Sequence, residues 1–291
     1  MRDLRALPLP DRCYVLGPAG TFSEAGAQLY ARAFDAFGLT APPIAYTASI
    51  EDAIATLAQE PGAVAIVPIE NSESGTVVVT QEELRVVRVR IEWELAVDVR
   101  YNLIGQGPLD RVQRVYCHPV AQGQCTRYLR QHLAQAEVVY ASSNAQAGAD
   151  LLSSALAATS AAIVPAHPVL AEWASWVPLA QGIQNSATNT TRFLVVRAER
   201  EGFEPDFERE KTSLVVIPRQ DRPGLLARLL EPLGRRDLNI TRIESRPSRD
   251  RPWAYVFFLD FQNGPGAAQA IDEIRASGDE VIVLGTYDAL H

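Results

Sequence analysis

Through the first 200 residues, short apolar runs alternate with helical stretches. Cys13 to Leu16 reads as a strand, and Gly17-Pro18-Ala19-Gly20 turns it into a helix. Thr21 with Glu24 has the capping-box spacing, so the helix is predicted from there to about Phe37. Ser49 with Asp52 predicts a second helix start, ending near Gln59. Pro61-Gly62 breaks the chain before an apolar strand, Ala63 to Val67. From Ile91 to Val99 apolar and polar residues alternate, the pattern of a half-buried strand. Further strands are predicted at Val112 to Tyr116, Val138 to Tyr140, Ala161 to Val164 and Phe193 to Val196. Helices near Ala121 to Ala134 and Ala145 to Ala158 lie between them. Strands interleaved with helices imply parallel α/β sheets.

The pattern then changes. Arg197 to Lys211 is charged and poor in strand signal, which reads as a linker. Beyond it the order is strand (Ser213 to Pro218), helix (Pro223 to about Arg235), strand (Asn239 to Arg246), strand (Trp253 to Phe261), helix (Ala267 to Ala276) and strand (Glu280 to Thr286). That is a βαββαβ ferredoxin-like unit with a weak internal duplication. The domains expected are 1–200, a linker 201–211, and 212–291.

Composition narrows the function classes. The chain has 291 residues and a net charge of −8, which argues against a nucleic-acid platform. Lys211 is the only lysine among 27 basic side chains. Three cysteines, Cys13, Cys117 and Cys125, make no disulfide framework and suit a reducing compartment. The N-terminus has no signal-peptide apolar core, and the charge-free stretch Leu151 to Ala171, broken by Pro165 and Pro168, reads as buried helix and strand rather than a membrane span. A cytoplasmic protein without membrane contact is expected.

Four polar stretches carry candidate chemistry. Gly17 to Glu24 follows a strand and opens a helix, where free N–H groups favour an anion; a tight turn with a capping box explains it equally. Glu70-Asn71-Ser72-Glu73-Ser74-Gly75 follows a buried strand, where open α/β sheets place ligands. Asn189-Thr190-Thr191-Arg192-Phe193 precedes another strand and alone is a weak signal. Tyr116-Cys117-His118-Pro119 with Gln122, Gln124 and Cys125 falls short of a metal ligand set.

Taken together, Gly17-Pro18-x-Gly20-Thr21-Phe22-Ser23, Pro68-Ile69-Glu70-Asn71-Ser72-x-x-Gly75 and Thr191-Arg192-Phe193 resemble the prephenate dehydratase family, in its order and spacing. Pro223-Gly224-Leu225-Leu226 and Asn239-Ile240-Thr241-Arg242-Ile243-Glu244-Ser245-Arg246-Pro247 resemble its ACT regulatory domain. The resemblance runs from about Cys13 to the end. It implies a two-lobed catalytic domain like that of periplasmic binding proteins. Cys13 to about Arg85 and Gln181 to Val196 would form one lobe, and about Val97 to Leu179 the other.

The resemblance further implies the reaction: prephenate loses carbon dioxide and water to give phenylpyruvate, without metal, nicotinamide or Schiff-base lysine. It places Thr191, Asn71 and Ser72 at the chemistry. It assigns substrate contacts to Thr21, Ser23, Glu70, Gly75, Arg192 and Phe193. Arg192 either anchors a carboxylate or braces the lobe, and Glu70 suits a dianion only if protonated or turned away. Phenylalanine as effector would meet Gly224, Leu225, Leu226, Asn239, Glu244, Ser245 and Arg246, at a homodimer of ACT modules or within a tetramer. Alternatives are the aminated substrate arogenate and a catalytically silent amino-acid sensor. With the motifs starting a dozen residues in, no chorismate-mutase region is expected. Departures from the family pattern stand at Val120, Gln122, Asn144, His167 and Asn185, all in or near the second lobe and its return crossover.

Overall fold

The computed structural model describes residues 4, 7–166, 176, 178–199, 203–248 and 251–290. The chain starts with β1 (Cys13–Leu16), α1 (Phe22–Ala36), β2 (Ile44–Thr47), α2 (Ile50–Thr56), β3 (Val64–Asn71), a short β4 (Gly75–Thr76), α3 (Val78–Val86) and β5 (Val89–Asp98). It crosses into β6 (Tyr101–Gly105), β7 (Arg114–Cys117), α4 (Pro119–Gln124), α5 (Thr126–His132), β8 (Glu137–Tyr140), α6 (Asn144–Ser153), β9 (Ser160–Pro165) and β10 (Pro178–Ala180). It returns through β11 (Thr190–Ala198). The last unit is β12 (Lys211–Ile217), α7 (Leu225–Gly234), β13 (Ile240–Pro247), β14 (Tyr255–Gln262), α8 (Ala267–Ala276) and β15 (Glu280–Leu290).

Two lobes result, each with its own sheet. The first orders its strands β5-β11-β3-β1-β2 and the second β10-β6-β9-β7-β8. The two crossovers run side by side, with Val99 N–H donating to Asn189 O at 2.8 Å and Ile183 N–H to Tyr101 O at 3.0 Å. The sheets are mixed rather than parallel. β1 pairs parallel with β2 and β3, but β11 is antiparallel to both β3 and β5, and β6 to β9 and β10. The cause is the crossover itself: a chain that leaves one lobe and comes back re-enters the sheet in the opposite direction.

Other boundaries differ from the sequence reading for local reasons. Cys125 breaks the helix expected over Ala121 to Ala134 into α4 and α5. The helix expected to Ala158 stops at Ser153. His167 and Pro168 lie outside the described residues. Among the described residues no helix is long and apolar enough to cross a membrane.

The expected linker is no free tether at its ends. Arg197 belongs to β11 and is 1% exposed; its guanidinium donates to Glu92 Oε1, Gly62 O and Pro8 O. Arg209 is buried against Asp288 at 3.0 Å and lies over the Trp93 ring.

The last strand was expected to stop at Thr286 but runs on to Leu290, pairing parallel with β5 through Asp288, Ala289 and Leu290. The ferredoxin-like sheet, ordered β13-β14-β12-β15, thereby continues into the first lobe as one ten-stranded sheet. Gly285 permits the approach, since a Cβ there would lie 2.4 Å from Ile91 O. One apolar core spans the junction, joining Leu194, Val196 and Ile91 of the first lobe to Val215, Val256, Phe258 and Tyr287.

Candidate functional site

In the antiparallel register of β11 on β3, Thr191 stands opposite Asn71 and Arg192 opposite Glu70. A bulge follows, because Phe193 pairs with Pro68 rather than Ile69. Bulges redirect side chains and gather beside functional sites.

Asn71 is held in one orientation. Its Oδ1 accepts the backbone N–H groups of Glu73 (3.0 Å) and Ser74 (2.9 Å) in the turn that Gly75 closes at φ 78°. A carbonyl oxygen alone can accept from those donors, so Nδ2 must face the other way. Nδ2 donates to Asn189 Oδ1 at 2.8 Å and to Thr191 Oγ1 at 2.9 Å. The Thr191 oxygen is therefore an acceptor here, and its own proton is free to be given elsewhere. Ser72 staples the same turn: its N–H donates to Thr190 O, and its Oγ accepts from Thr190 N.

Asn189 Nδ2 and Gln124 Oε1, on side chains that reach Asn71, are buried without a protein partner, as are Thr21 Oγ1 before α1 and Asn144 Oδ1 at the start of α6. An unpaired buried polar group is costly, so the two beside Asn71 point to a polar ligand. The capping box expected at Thr21 does not form: Glu24 accepts from Gly20 N–H at 2.7 Å, one residue before the N-cap, and the Thr21 hydroxyl caps nothing. Ser23 is buried in the first turn of α1.

The second lobe closes on this seam from two points. Gln124 Nε2 donates to Ser74 Oγ (3.3 Å) and to Asn71 Oδ1 (3.5 Å). Tyr101 meets Phe22 edge to face, ring centroids 5.4 Å apart, and burial pushes its phenol upward. The sequence reading gave Gln124 and Asn189 no role at the site, although each stands in one of its candidate stretches. Gln124 ends α4, seven residues beyond β7, and Asn189 stands two residues before Thr191.

Three expected substrate contacts point elsewhere. Glu70 and Arg192 stand on the opposite face of β3 and β11 from Asn71 and Thr191, because side chains alternate along a strand. Arg192 reaches Glu70 at 2.9 Å, Glu94 at 2.6 Å and Asp260 at 3.3 Å. Of the two roles open to Arg192, the geometry is that of a brace. Glu70 is turned away from the seam, as a site for a dianion requires. Burial raises the Glu94 carboxyl, but Arg192 and Lys211 outweigh it and hold the group below its usual range. Phe193 is 1% exposed in the core beneath α1, where Gly26 leaves room for its ring.

The departures in the second lobe also acquire places. Val120 is exposed, and Gln122 Oε1 accepts from the Tyr140 hydroxyl at the surface. Asn185 ties the return crossover to α4 and α5 through Gly123 O, Thr126 Oγ1 and Arg127 N–H.

In the C-terminal unit, Gly224 (φ 75°), Leu225, Leu226 and Ser245 line an open hollow of about 340 Å³ with Tyr255 and Phe257. Glu244 and Arg246, expected there, alternate to the other face of β13 and meet the first lobe. Glu244 Oε2 accepts from Thr76 Oγ1 at 3.1 Å, and Arg246 lies 3.7 Å from Glu82. Asn239 Nδ2 donates across to Gln262 Oε1, away from the hollow's lining.

Known proteins resemble this chain in sequence and in fold. The family model described as prephenate dehydratase matches residues 13–201, and that of the ACT domain matches 213–279. A prephenate dehydratase of Methanocaldococcus jannaschii is 31% identical over 93% of this chain and 95% of its own length. A bifunctional chorismate mutase/prephenate dehydratase of Stutzerimonas stutzeri is 33% identical over 99% of this chain and 76% of its own. The structure of an Arthrobacter aurescens prephenate dehydratase in complex with L-Phe superposes with a TM-score of 0.80 at 30% identity, covering 95% of this chain and 90% of that one.

Proposed function

Because the chain belongs to the prephenate dehydratase family, we propose that it converts prephenate to phenylpyruvate at the seam around Thr191 and Asn71, under control of phenylalanine bound to the C-terminal unit. The ring carbon–carboxylate bond breaks and its electron pair enters the ring. The carbon–oxygen bond of the ring hydroxyl breaks in turn, and the oxygen leaves with that pair. The dianion takes up one proton overall and yields phenylpyruvate, carbon dioxide and water. Aromatisation drives the process, so the protein must chiefly orient the substrate and stabilise the departing oxygen.

The observation that carries this reading is the Thr191 hydroxyl. It accepts from Asn71, which leaves its proton for the departing oxygen. That hydrogen bond strengthens as negative charge builds on the oxygen, so it favours the transition state over the bound substrate. Substrate carboxylates would take the unpartnered Asn189 Nδ2, the Thr21 hydroxyl and the N–H groups opening α1. Ser72 and Gly75 shape the turn that aims Asn71.

We read 1–200 as the catalytic domain, 201–211 as the connection and 212–291 as the regulatory domain. Phenylalanine would occupy the hollow beside Gly224 and Ser245. That hollow is open, and the edge strand β13 beside it exposes Ile243, while Tyr255 and Leu226 are exposed nearby. A second copy pairing there would complete a homodimer. The three thiols are free, which suits a cytoplasmic setting.

The test is an ultraviolet assay of phenylpyruvate release from prephenate, with and without phenylalanine. Release that responds to phenylalanine is expected. No release from prephenate contradicts the catalytic reading, and calorimetry showing no phenylalanine binding contradicts the regulatory one.

A further inference from the structure

Three strands each carry neighbouring residues to two different places. β3 sends Asn71 to the seam and Glu70 to the junction with the C-terminal sheet. β11 does the same with Thr191 and Arg192. β13 sends Ser245 to the open hollow and Glu244 to Thr76, five residues beyond Asn71. Arg192 is where these lines meet. Its guanidinium binds Glu70 on β3, Glu94 on β5 and Asp260 on β14. Asp260 is itself fixed by Ser213 Oγ at 2.6 Å, and Glu94 by Lys211 Nζ at 2.7 Å. Arg242 on β13 approaches the same Glu70 oxygen at 3.9 Å.

Cohesion does not require this cluster, since the shared apolar core already joins the two sheets. A buried group of charges adds little net stability but admits few geometries. Its effect is to fix position, and the residue it fixes is the chain neighbour of Thr191.

We propose that Arg192 is a positioning residue for the reaction, the tie through which the C-terminal sheet sets the Thr191–Asn71 pair. The proposal rests on the reading of Thr191 as the group at the leaving oxygen. When phenylalanine shifts β13 and β14, Asp260 moves Arg192, and Arg192 moves β11 at Thr191.

Full-length Arg192→Lys and Asp260→Asn variants test it, by steady-state kinetics on prephenate with and without phenylalanine and by calorimetry of phenylalanine binding. Lysine keeps the charge but cannot span three carboxylates, so kcat falls about tenfold while KM stays within about twofold. Asp260→Asn leaves phenylalanine affinity within about threefold of the parent but abolishes the effect of phenylalanine on turnover. A rise in KM above about tenfold at unchanged kcat in Arg192→Lys makes it a substrate anchor and overturns the proposal. So does Asp260→Asn with the full phenylalanine response, or a parent protein whose turnover ignores saturating phenylalanine. If Arg192→Lys does not fold, judged by circular dichroism, Asp260→Asn decides alone. Failure of the Thr191 reading would show separately, as turnover that survives loss of the Thr191 hydroxyl.

Discussion

The two faces of β3 and β11 are built on opposite rules. The face toward the seam holds neutral amides and hydroxyls, with Thr21 Oγ1, Asn189 Nδ2 and Gln124 Oε1 left without partners. The face toward the C-terminal sheet holds charges, and there Arg192 meets three carboxylates. One face is prepared for a molecule that comes and goes. The other pairs its charges largely with one another, although Arg192 Nε and Arg242 Nε also lack partners there, and it fixes geometry. Residue type alone would have suggested the reverse, since an arginine looks like the natural anchor for a dianion. The partners each side chain reaches, rather than its charge alone, separate binding from bracing here.

That contrast can be broken most severely at Asn71. Asn71→Asp replaces the donating amide with an acceptor, so the Thr191 hydroxyl must give its proton to the new carboxylate. Turnover is expected to fall about 10²-fold or more, the scale of a lost oxyanion donor. An unchanged kcat would show that the Thr191 proton is not the one that matters.

A milder change is Asn189→Asp, which keeps the acceptor facing Asn71 and converts the unpartnered donor into a negative charge. The loss of one charge-assisted hydrogen bond should lower kcat/KM about 10- to 100-fold, chiefly through KM. A KM equal to that of the parent would remove Asn189 from the substrate's surroundings.

The braced face is sharpened by Gly285. A Cβ there collides with Ile91 backbone, so Gly285→Ala should cost about 1–3 kcal/mol in urea unfolding as β15 separates from β5. A parent-like transition would mean that the two sheets are not held in register at that point.

The smallest effect is one of pH. The Glu94 carboxyl is held below its usual range in the folded chain, so it is protonated more readily once unfolded. Its contribution is present above the unfolded pKa and is lost as pH falls through the folded one. Unfolding free energies at about pH 7 and about pH 3.5 should differ less in Glu94→Gln than in the parent. Equal differences would detach Glu94 from the acid sensitivity of the junction.

Much of this was legible in the chain. The βαββαβ unit was read in order because its succession of strands and helices is written in local patterns. The three motifs located Thr191, Asn71 and the Thr21 turn. What was hidden depends on long-range register. Nothing local reveals that Phe193 packs under Gly26, or that Arg192 turns its back on the cleft, because a two-residue period has no absolute phase until the partner strand is known. The extension of β15 beyond Thr286 was hidden for the same reason: Tyr287 to Leu290 becomes strand only against β5. Gln124 read only as part of a stretch that falls short of a metal ligand set, and only the closure of the second lobe brings it to Asn71.

The central claim is that the Thr191 hydroxyl gives a hydrogen bond to the departing oxygen. Comparing the phenylpyruvate release rates of Thr191→Ser and Thr191→Val tests it most directly, since valine keeps the shape and removes the hydroxyl while serine keeps the hydroxyl. Serine is expected to stay within about tenfold of the parent and valine to fall about 10²-fold or more, with both chains folded. A valine variant that turns over prephenate as fast as the serine variant would contradict the account.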